Sequence, residues 1–312
     1  MNLKTLSAAA AVLALAGLTS ATTANAVPGT VSGDGGDRIG VLKVNGDAYV
    51  KEGGLSATWV KEHDNVKQVA LSGDRIGVLT GDGVAWVKEG GLSATWVREA
   101  DDVKQIALSG DRIGVLKDNG DAYVKEGGLS ATWVKESDNV KELELSRNRI
   151  GVVKGNGDAY VKEGGLSATW VKEHDNVIGI DLAGNRIGVL TGDGVAWVKE
   201  GGLSATWVKE RDNAIQLELS GNRIGVVTDS GDAYVKEGGL SATWVHEYTH
   251  TIQIALSGKR IGVLKGDGDA RVKEGGLSAT WVLEADNVAE LALSSVSRLR
   301  RHRAPAACEQ RY

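Results

Sequence analysis

The chain has 312 residues, a net charge of −5, 42% hydrophobic residues and 5% aromatic residues. This balance is typical of a globular protein, and it excludes both the strongly basic chains that bind nucleic acid and the highly charged chains that stay disordered. Cys308 is the only cysteine, so no intramolecular disulfide can form. No stretch after the N-terminal segment is long and apolar enough to span a bilayer, which predicts no membrane span.

The first 26 residues have a pattern of their own. Lys4 precedes an apolar run, and Ala24-Asn25-Ala26 has the small-x-small form that signal peptidase cleaves. The pattern predicts a signal peptide over residues 1–26, a short lead-in over residues 27–36 and a secreted protein. A buried N-terminal helix is the alternative interpretation of the same residues.

Seven copies of one 37-residue unit fill residues 37–295 without insertion or deletion. Each copy contains "RIGV" near its start and "GGLSATWV" near its middle. Units two and five share "TGDGVAWVKEGGLSATWV" in full, so likeness among copies reflects recent duplication as well as function. The identity extends to Lys51 and Glu52, which we expect to face solvent. The tryptophan of each unit recurs as Trp59, Trp96, Trp133, Trp170, Trp207, Trp244 and Trp281.

Each unit predicts four short β-strands. "RIGVLK" is a continuous apolar run, "DAYVKE" and "VKQVALS" alternate, and "ATWVKE" is β-branched and aromatic. Asn45-Gly46 predicts a tight hairpin turn, and Gly53-Gly54 and Asp64-Asn65 predict the next two turns. Four antiparallel strands repeated seven times predict an all-β, seven-bladed β-propeller. An open β-solenoid is the alternative.

The segment "VHEYTH" at residues 245–250 matches H-E-x-x-H, the pattern of zinc metallopeptidases. On a helix the two histidines lie about 6 Å apart on one face. On a strand the same four steps span about 13 Å, which is too far for one zinc ion. The repeat places His246 at the end of the third strand, so it predicts an accidental match and keeps a metallopeptidase only as a remote alternative.

Two acidic turns form a second candidate metal site. "DNGD" at residues 118–121 and "GDGD" at 266–269 resemble calcium loops, but their spacing is that of a hairpin turn and no bidentate glutamate follows at the required distance. Nearly all serines belong to the repeat, so no unique nucleophile stands out. The sequence therefore predicts no metal, no cofactor and no catalysis.

The "RIGVL…G-A-VKEG-L-ATWV" units over residues 37–295 resemble the secreted actinobacterial propeller repeats grouped with tachylectin-like or tectonin-like lectins. The resemblance implies a tandem-repeat lectin that binds glycans or cell-wall polysaccharide without catalysis. Repeated sites around one ring suit multivalent binding. The other class of function is a protein-binding or structural propeller that serves a secreted enzyme, and it uses the same scaffold.

Two aromatic columns are candidate binding sites. The Trp59 column never varies, and a buried tryptophan removes a large apolar area from water, so we interpret it as packing between blades. The second column includes Arg271, and we therefore expect solvent to reach it. Stiffening cross-strand pairs are the alternative interpretation of this column. The predicted carbohydrate-binding residues are Tyr49, Trp86, Tyr123, Tyr160, Trp197, Tyr234, Asp47, Asp121, Asp158 and Asp232.

The last segment, residues 296–312, is basic and has lost the repeat. Its composition predicts a disordered tail on a monomeric ring. Attraction to anionic cell-wall polymers and dimerisation through Cys308 are alternatives, and the abrupt loss of the repeat also allows a reading-frame error.

Overall fold

In a computed structural model, residues 37–294 are described, and they form seven separate sheets of four antiparallel strands with no helix among them. The predicted signal peptide, lead-in and basic tail lie outside the described residues. The strands are β1 (Arg38–Lys43), β2 (Ala48–Glu52), β3 (Val60–His63), β4 (Val66–Ser72), β5 (Arg75–Thr80), β6 (Ala85–Glu89), β7 (Val97–Ala100), β8 (Val103–Ser109), β9 (Arg112–Lys117), β10 (Ala122–Glu126), β11 (Val134–Ser137), β12 (Val140–Ser146), β13 (Arg149–Lys154), β14 (Ala159–Glu163), β15 (Val171–His174), β16 (Val177–Ala183), β17 (Arg186–Thr191), β18 (Ala196–Glu200), β19 (Val208–Arg211), β20 (Ala214–Ser220), β21 (Arg223–Thr228), β22 (Ala233–Glu237), β23 (Val245–Tyr248), β24 (Thr251–Ser257), β25 (Arg260–Lys265), β26 (Ala270–Glu274), β27 (Val282–Ala285) and β28 (Val288–Ser294).

Each blade takes its innermost strand from the preceding repeat unit. The blade order β4-β5-β6-β7 recurs around the ring, so the repeat read from the sequence is offset by one strand from the blade. The last strand, β28, pairs with β1 in the register Arg38↔Ser294 and Gly40↔Ala292. This pairing closes the ring, which confirms the predicted seven-bladed propeller and excludes the open solenoid.

The glycine of "RIGV" makes room for the neighbouring blade. A Cβ added at Gly77 would lie 2.9 Å from Ile106 Cδ1 and 3.1 Å from Leu108 Cδ1, both on the next inner strand. A side chain at this position would overpack a core that is already filled. The inner strands therefore approach closely and contact one another in a ring around a central channel.

The third turn of each unit requires a left-handed residue. Asn65 has a φ of 52°, and the equivalent positions in the other six units lie between 47° and 55°. Asparagine and aspartate tolerate this conformation better than most residues, which explains the predicted Asp64-Asn65 turn. His250 occupies the same position in unit six with a φ of 55°.

The expectation of solvent exposure is wrong for Lys51, whereas Glu52 is half-buried and its equivalents in five other units are exposed. Lys51 is 2% exposed; its ammonium pairs with Glu284 of the preceding unit and lies 5.0 Å from the centre of the Trp59 ring. Arg38 donates to Glu52 at 3.0 and 3.1 Å and also to the carbonyl of Gly90 in the next blade. Both faces of a blade are covered by neighbours, so polar residues of an alternating strand meet another blade there rather than water.

The buried lysine–glutamate pair recurs at every junction between blades, and each partner is 2% exposed. Burial raises the pKa of Glu62, Glu210 and Glu247, while the paired lysine opposes the shift. The second carboxylate oxygen of each glutamate is buried without a hydrogen-bond partner. The pairs are Lys51–Glu284, Lys88–Glu62, Lys125–Glu99, Lys162–Glu136, Lys199–Glu173, Lys236–Glu210 and Lys273–Glu247.

Candidate functional site

The H-E-x-x-H segment lies on strand β23 and in the turn that follows it. His246 Nε2 lies 3.2 Å from Asp232 Oδ1, whereas Glu247 pairs with Lys273 of the next unit. His250 turns away at its positive φ and contacts Thr249. The side chains point to three different neighbours, and residues 37–294 contain no group of three His, Cys, Asp or Glu residues placed to hold a metal ion.

The two aromatic columns meet in a groove between blades. Tyr49 and Trp59 form walls of a groove of about 400 Å³. The groove lies between the blade of strands β24 to β27 and the blade of strands β28, β1, β2 and β3. Tyr49 is half-buried on β2, as the expectation of partial solvent access requires. Trp59 both packs against the core between blades and lines this groove, a second role that its invariance among copies concealed. The groove is lined by Val41, Lys43, Tyr49, Trp59, Leu283, Glu284, Ala285 and Asp286.

The predicted aspartates lie elsewhere, at the hairpin ends. Asp47 accepts from Lys61 of its own unit at 2.7 Å and is not among the residues that line the groove. Asp158 pairs with Lys172 at 2.8 Å, and the hydrogen bond from this lysine lowers the pKa of the carboxyl group. Asp121 and Asp232 pair in the same way with Lys135 and His246. The structure therefore brings the tyrosine column to the groove and places the aspartates in ion pairs.

Every junction repeats this groove, and among the positions that differ between junctions one decides whether the aromatic walls are covered. We call this place, which Ala285 holds in the groove just described, the plug position, and we name each groove by its plug residue. The plug belongs to one unit, and the aromatic walls belong to the next. The plug residues are His63, Ala100, Ser137, His174, Arg211, Tyr248 and Ala285.

Four grooves are filled by their own plug. The guanidinium of Arg211 lies 3.5 Å from the ring centre of Tyr234 and 5.8 Å from that of Trp244. The imidazole of His63 packs on two walls, at 6.4 Å from Trp86 and 5.9 Å from Trp96. His174 repeats that arrangement with Trp197 and Trp207, and Tyr248 packs edge-to-face on Trp281 at 5.4 Å.

Three grooves have a small plug, and we call them the open grooves. Ala285 leaves Tyr49 and Trp59 uncovered on the groove side. Ala100 is equally small and packs in one cluster with the next unit's Tyr123 and Trp133. At the third open groove the hydroxyl of Ser137 accepts from Lys154 at 2.8 Å, and Tyr160 and Trp170 of the next unit pack against one core cluster. Of the six predicted aromatic residues, Tyr49, Tyr123 and Tyr160 therefore line open grooves, and Trp86, Trp197 and Tyr234 line filled ones.

The central channel is the second concave feature, with a volume of about 150 Å³. At four junctions a glutamine amide bridges two inner strands: Gln68 accepts from the N–H of Ile106 at 2.9 Å and donates to its carbonyl at 3.1 Å. Gln105, Gln216 and Gln253 make the same paired bonds. Glu142 and Glu290 replace the glutamine at two of the other junctions, and Gly179 replaces it at the third.

Carboxylates gather along one side of the channel. Glu144, Asp181 and Glu218 take the place of Ala70 on three consecutive inner strands. Burial raises the pKa of all three, to about 7 for Asp181, and nearby acids raise the pKa of Glu144 and Glu218 further. Asp181 also accepts from the N–H of Leu219 on the next strand and so bridges the junction at which Gly179 lacks a side chain.

The comparisons with known proteins concern the fold. No protein-family model and no curated protein sequence matches this chain. A chain in the structure of Kap60 bound to yeast RCC1 (Prp20) is similar, with a TM-score of 0.61 and 10% identity over 88% of this chain and 90% of that chain. Prp20p from Saccharomyces cerevisiae has a TM-score of 0.57 and 11% identity over 72% of this chain and 77% of that one.

Human WBSCR16 is similar at the same level, with a TM-score of 0.57 and 12% identity over 76% of this chain and 88% of that chain. Between residues 37 and 294 there is no helix with the length and apolar character needed to cross a lipid bilayer. At 10–12% identity, the likeness to these three solved structures concerns architecture alone. The chain thus shares its fold with propellers of the RCC1 type and carries its own set of grooves between the blades.

Proposed function

We propose that this protein is a non-catalytic binding propeller that holds its ligands in the open grooves between blades. One observation carries the proposal: the Ala285, Ala100 and Ser137 grooves present the same tyrosine and tryptophan walls at three places on one rigid ring. Concave sites with aromatic walls and a few polar groups are typical of ligand binding. Identical sites on one body raise the effective concentration for each successive contact.

A partner protein is the first class of ligand. The structure of Prp20p is described together with its binding to Gsp1p and histones, and yeast RCC1 is seen with Kap60 bound. These propellers share the architecture of this chain at 10–11% identity, so they support a protein-binding role for the scaffold and assign no surface to it. The filled grooves add support from this chain itself, because protein side chains already occupy them.

A glycan is the second class of ligand, favoured by the chemistry of the walls. Aromatic faces such as those of Tyr49 and Trp59 can stack on the apolar face of a sugar ring. Lys43 and Asp286, at the same groove, offer a donor and an acceptor for hydroxyl groups. The resemblance to tachylectin-like and tectonin-like repeats supports the same interpretation, and a secreted lectin would meet such glycans at cell surfaces.

The test compares open with filled grooves. The triple variant Tyr49→Ala, Tyr123→Ala, Tyr160→Ala removes a wall from each open groove, and Trp86→Ala, Trp197→Ala, Tyr234→Ala is the matched control in filled grooves. We expect the first variant to lose binding about tenfold or more on a glycan array or to captured extracellular proteins, since avidity multiplies the loss at each site. The control should bind as the parent does.

Thermal unfolding of both variants confirms that they remain folded. Millimolar free monosaccharide separates the two classes of ligand, since it competes with a glycan and leaves a protein interface intact. Unchanged binding by the folded open-groove variant would show that the ligand sits elsewhere.

A further inference from the structure

In each groove the residue type at the plug position is correlated with the residue type at one wall position. The wall position held by Lys43 in the Ala285 groove is lysine in four grooves and threonine in three. Threonine occurs only where the plug is histidine or arginine, and lysine occurs only where the plug is alanine, serine or tyrosine. The pairs are His63–Thr80, His174–Thr191, Arg211–Thr228, Ala285–Lys43, Ala100–Lys117, Ser137–Lys154 and Tyr248–Lys265.

A shared acceptor explains this pairing in most grooves. In the open grooves the lysine ammonium donates to the backbone carbonyl of the residue that follows the plug, as Lys43 does to Asp286 and Lys154 does to Asp138. In the His63 groove the imidazole Nδ1 lies 2.7 Å from the equivalent carbonyl of Asp64. The lysine ammonium and the histidine imidazole thus contact the same carbonyl in different grooves, which explains why a groove with a histidine plug has threonine in place of the lysine.

The open grooves therefore differ from the Arg211 and histidine grooves in what they can accept. Lys43, Lys117 and Lys154 already donate to the carbonyl that His63 contacts in its own groove, so a basic guest would find that acceptor occupied. The Tyr248 groove is the filled groove that also contains a lysine, Lys265. In it a phenol ring packs edge-to-face on Trp281 at 5.4 Å and 80°. Tyr248 thus shows an aromatic side chain in a lysine-bearing groove. In this groove Arg271 holds the wall position that tyrosine holds in the open grooves.

We propose that the three open grooves bind aromatic side chains of a partner protein, with tyrosine as the best-fitting residue. This inference rests on the proposed binding function and names the chemistry of the partner. A ring inserted beside Ala285 would meet the faces and edges of Tyr49 and Trp59, and aromatic pairs of this kind contribute beyond their buried area. Its hydroxyl would have the ammonium of Lys43 as a donor.

The open grooves also set the number and order of contacts. They lie before units one, three and four, so two of them are neighbours on the ring and the third stands apart. A partner with several exposed aromatic residues would engage them together and gain avidity, whereas a single aromatic residue would bind weakly. The inferred partner is therefore a protein that presents tyrosine side chains more than once.

The experiment uses the indole signals of the tryptophans as site-specific reporters. The chain has nine tryptophans: the seven of the Trp59 column plus Trp86 and Trp197. In the full ring labelled with ¹⁵N-tryptophan, N-acetyl-tyrosinamide should shift the indole signals of Trp59, Trp133 and Trp170. The signals of Trp96, Trp207, Trp244 and Trp281 should stay in place, because their grooves are filled. N-acetyl-argininamide should give smaller shifts at equal concentration.

Two variants of Ala285 sharpen the result. Ala285→Tyr copies the natural Tyr248 plug and should abolish the response of Trp59 while Trp133 and Trp170 still respond. Ala285→Ser copies the natural Ser137 plug and should leave all three responses in place. Ala285→Ser puts into the groove a residue that the Ser137 groove holds beside the same types of aromatic wall, so this variant should fold. Thermal unfolding checks Ala285→Tyr, because the Tyr248 groove has Arg271 where this groove has Tyr49.

Chitotriose is the competing probe. If it shifts Trp59, Trp133 and Trp170 while N-acetyl-tyrosinamide does not, the binding function stands and the aromatic-partner inference is overturned in favour of a sugar. If N-acetyl-tyrosinamide shifts open-groove and filled-groove tryptophans alike, or shifts none, the inference is also overturned. A partner still captured by the open-groove triple variant would overturn the grooves as the site of the proposed function itself.

Discussion

The junction between two blades has an outer layer and a channel layer, and they differ in how uniform they are. The outer layer repeats one buried Lys–Glu pair on a tryptophan at all seven junctions. The channel layer uses a glutamine amide at four junctions and carboxylates or glycine at the others. A substitution in the outer layer would leave a buried charge without its partner, whereas the channel layer tolerates different residues at the same position.

The strongest test of this contrast breaks one outer pair. Lys125→Met leaves the carboxylate of Glu99, which is 2% exposed, buried without its partner. Removal of one member of a buried ion pair costs about 3–5 kcal/mol, so we expect a loss of that order in the free energy of unfolding. Denaturation with guanidinium chloride measures it. The double variant Glu99→Leu, Lys125→Met should recover most of the loss, because it removes both charges.

A matched control comes from the same unit. Lys135 pairs with Asp121 at 2.7 Å but its side chain is 47% exposed, so Lys135→Met should cost far less stability than Lys125→Met. Equal losses for Lys125→Met and Lys135→Met would refute the view that burial makes the outer layer uniform.

The second test restores the common arrangement in the channel. Glu290 accepts from the N–H of Val69 at 3.2 Å, but as a carboxylate it cannot donate to a carbonyl in the way that Gln68 does. Burial raises the pKa of Glu290 to about 8. Glu290→Gln should stabilise the ring at pH 8 by about 1–3 kcal/mol, since it supplies the missing donor and removes a buried charge.

The dependence of this gain on pH has a definite sign. Between its ordinary pKa of 4.5 and the raised value of about 8, Glu290 holds a proton in the folded ring and loses it on unfolding. Its contribution to stability is therefore present at low pH and declines as the pH rises through this range. Unfolding measured from pH 4 to 9 should show a shallower decline for Glu290→Gln. The reverse variant Gln253→Glu should show a steeper one, and parallel curves would contradict the assignment.

The strands, turns and ring closure follow from the sequence, but the blade boundary and the lysine environment do not. Hairpin pairs such as Asn45-Gly46 and the 37-residue period specify local structure. The period has no preferred starting point, so it cannot show that the innermost strand of each blade comes from the preceding unit. Lys51 looks exposed on a single alternating strand, and only the neighbouring blade shows that it is buried.

The open and filled grooves were hidden for a similar reason. The plug residue stands beside a turn, where sequence variation looks like random drift, and its aromatic walls belong to a different repeat unit. The pairing of His63 with Thr80 and of Ala285 with Lys43 was a signal in the sequence, but only the structure shows that these residues share a groove. The invariance of Trp59 likewise indicated packing and gave no sign of a groove wall.

The smallest expected effect concerns the acidic side of the channel. Alanine occupies the place of Glu144 in four units, as Ala70, Ala107, Ala255 and Ala292. Glu144→Ala should raise the free energy of unfolding at pH 8 by less than about 1 kcal/mol, because Glu144 is only half-buried and solvent screens its charge.

The sharper measurement for this change is the titration of a neighbour. Burial first, and then the charges of Asp181 and Glu144, raise the pKa of Glu218. Removal of Glu144 should therefore lower the pKa of Glu218, which ¹³C NMR of the carboxyl carbons can follow, and Glu144→Gln should lower it equally because the charge and not the volume is responsible. An unchanged pKa of Glu218 in both variants would show that the channel acids titrate independently. The glutamine bridges alone would then distinguish one junction from another.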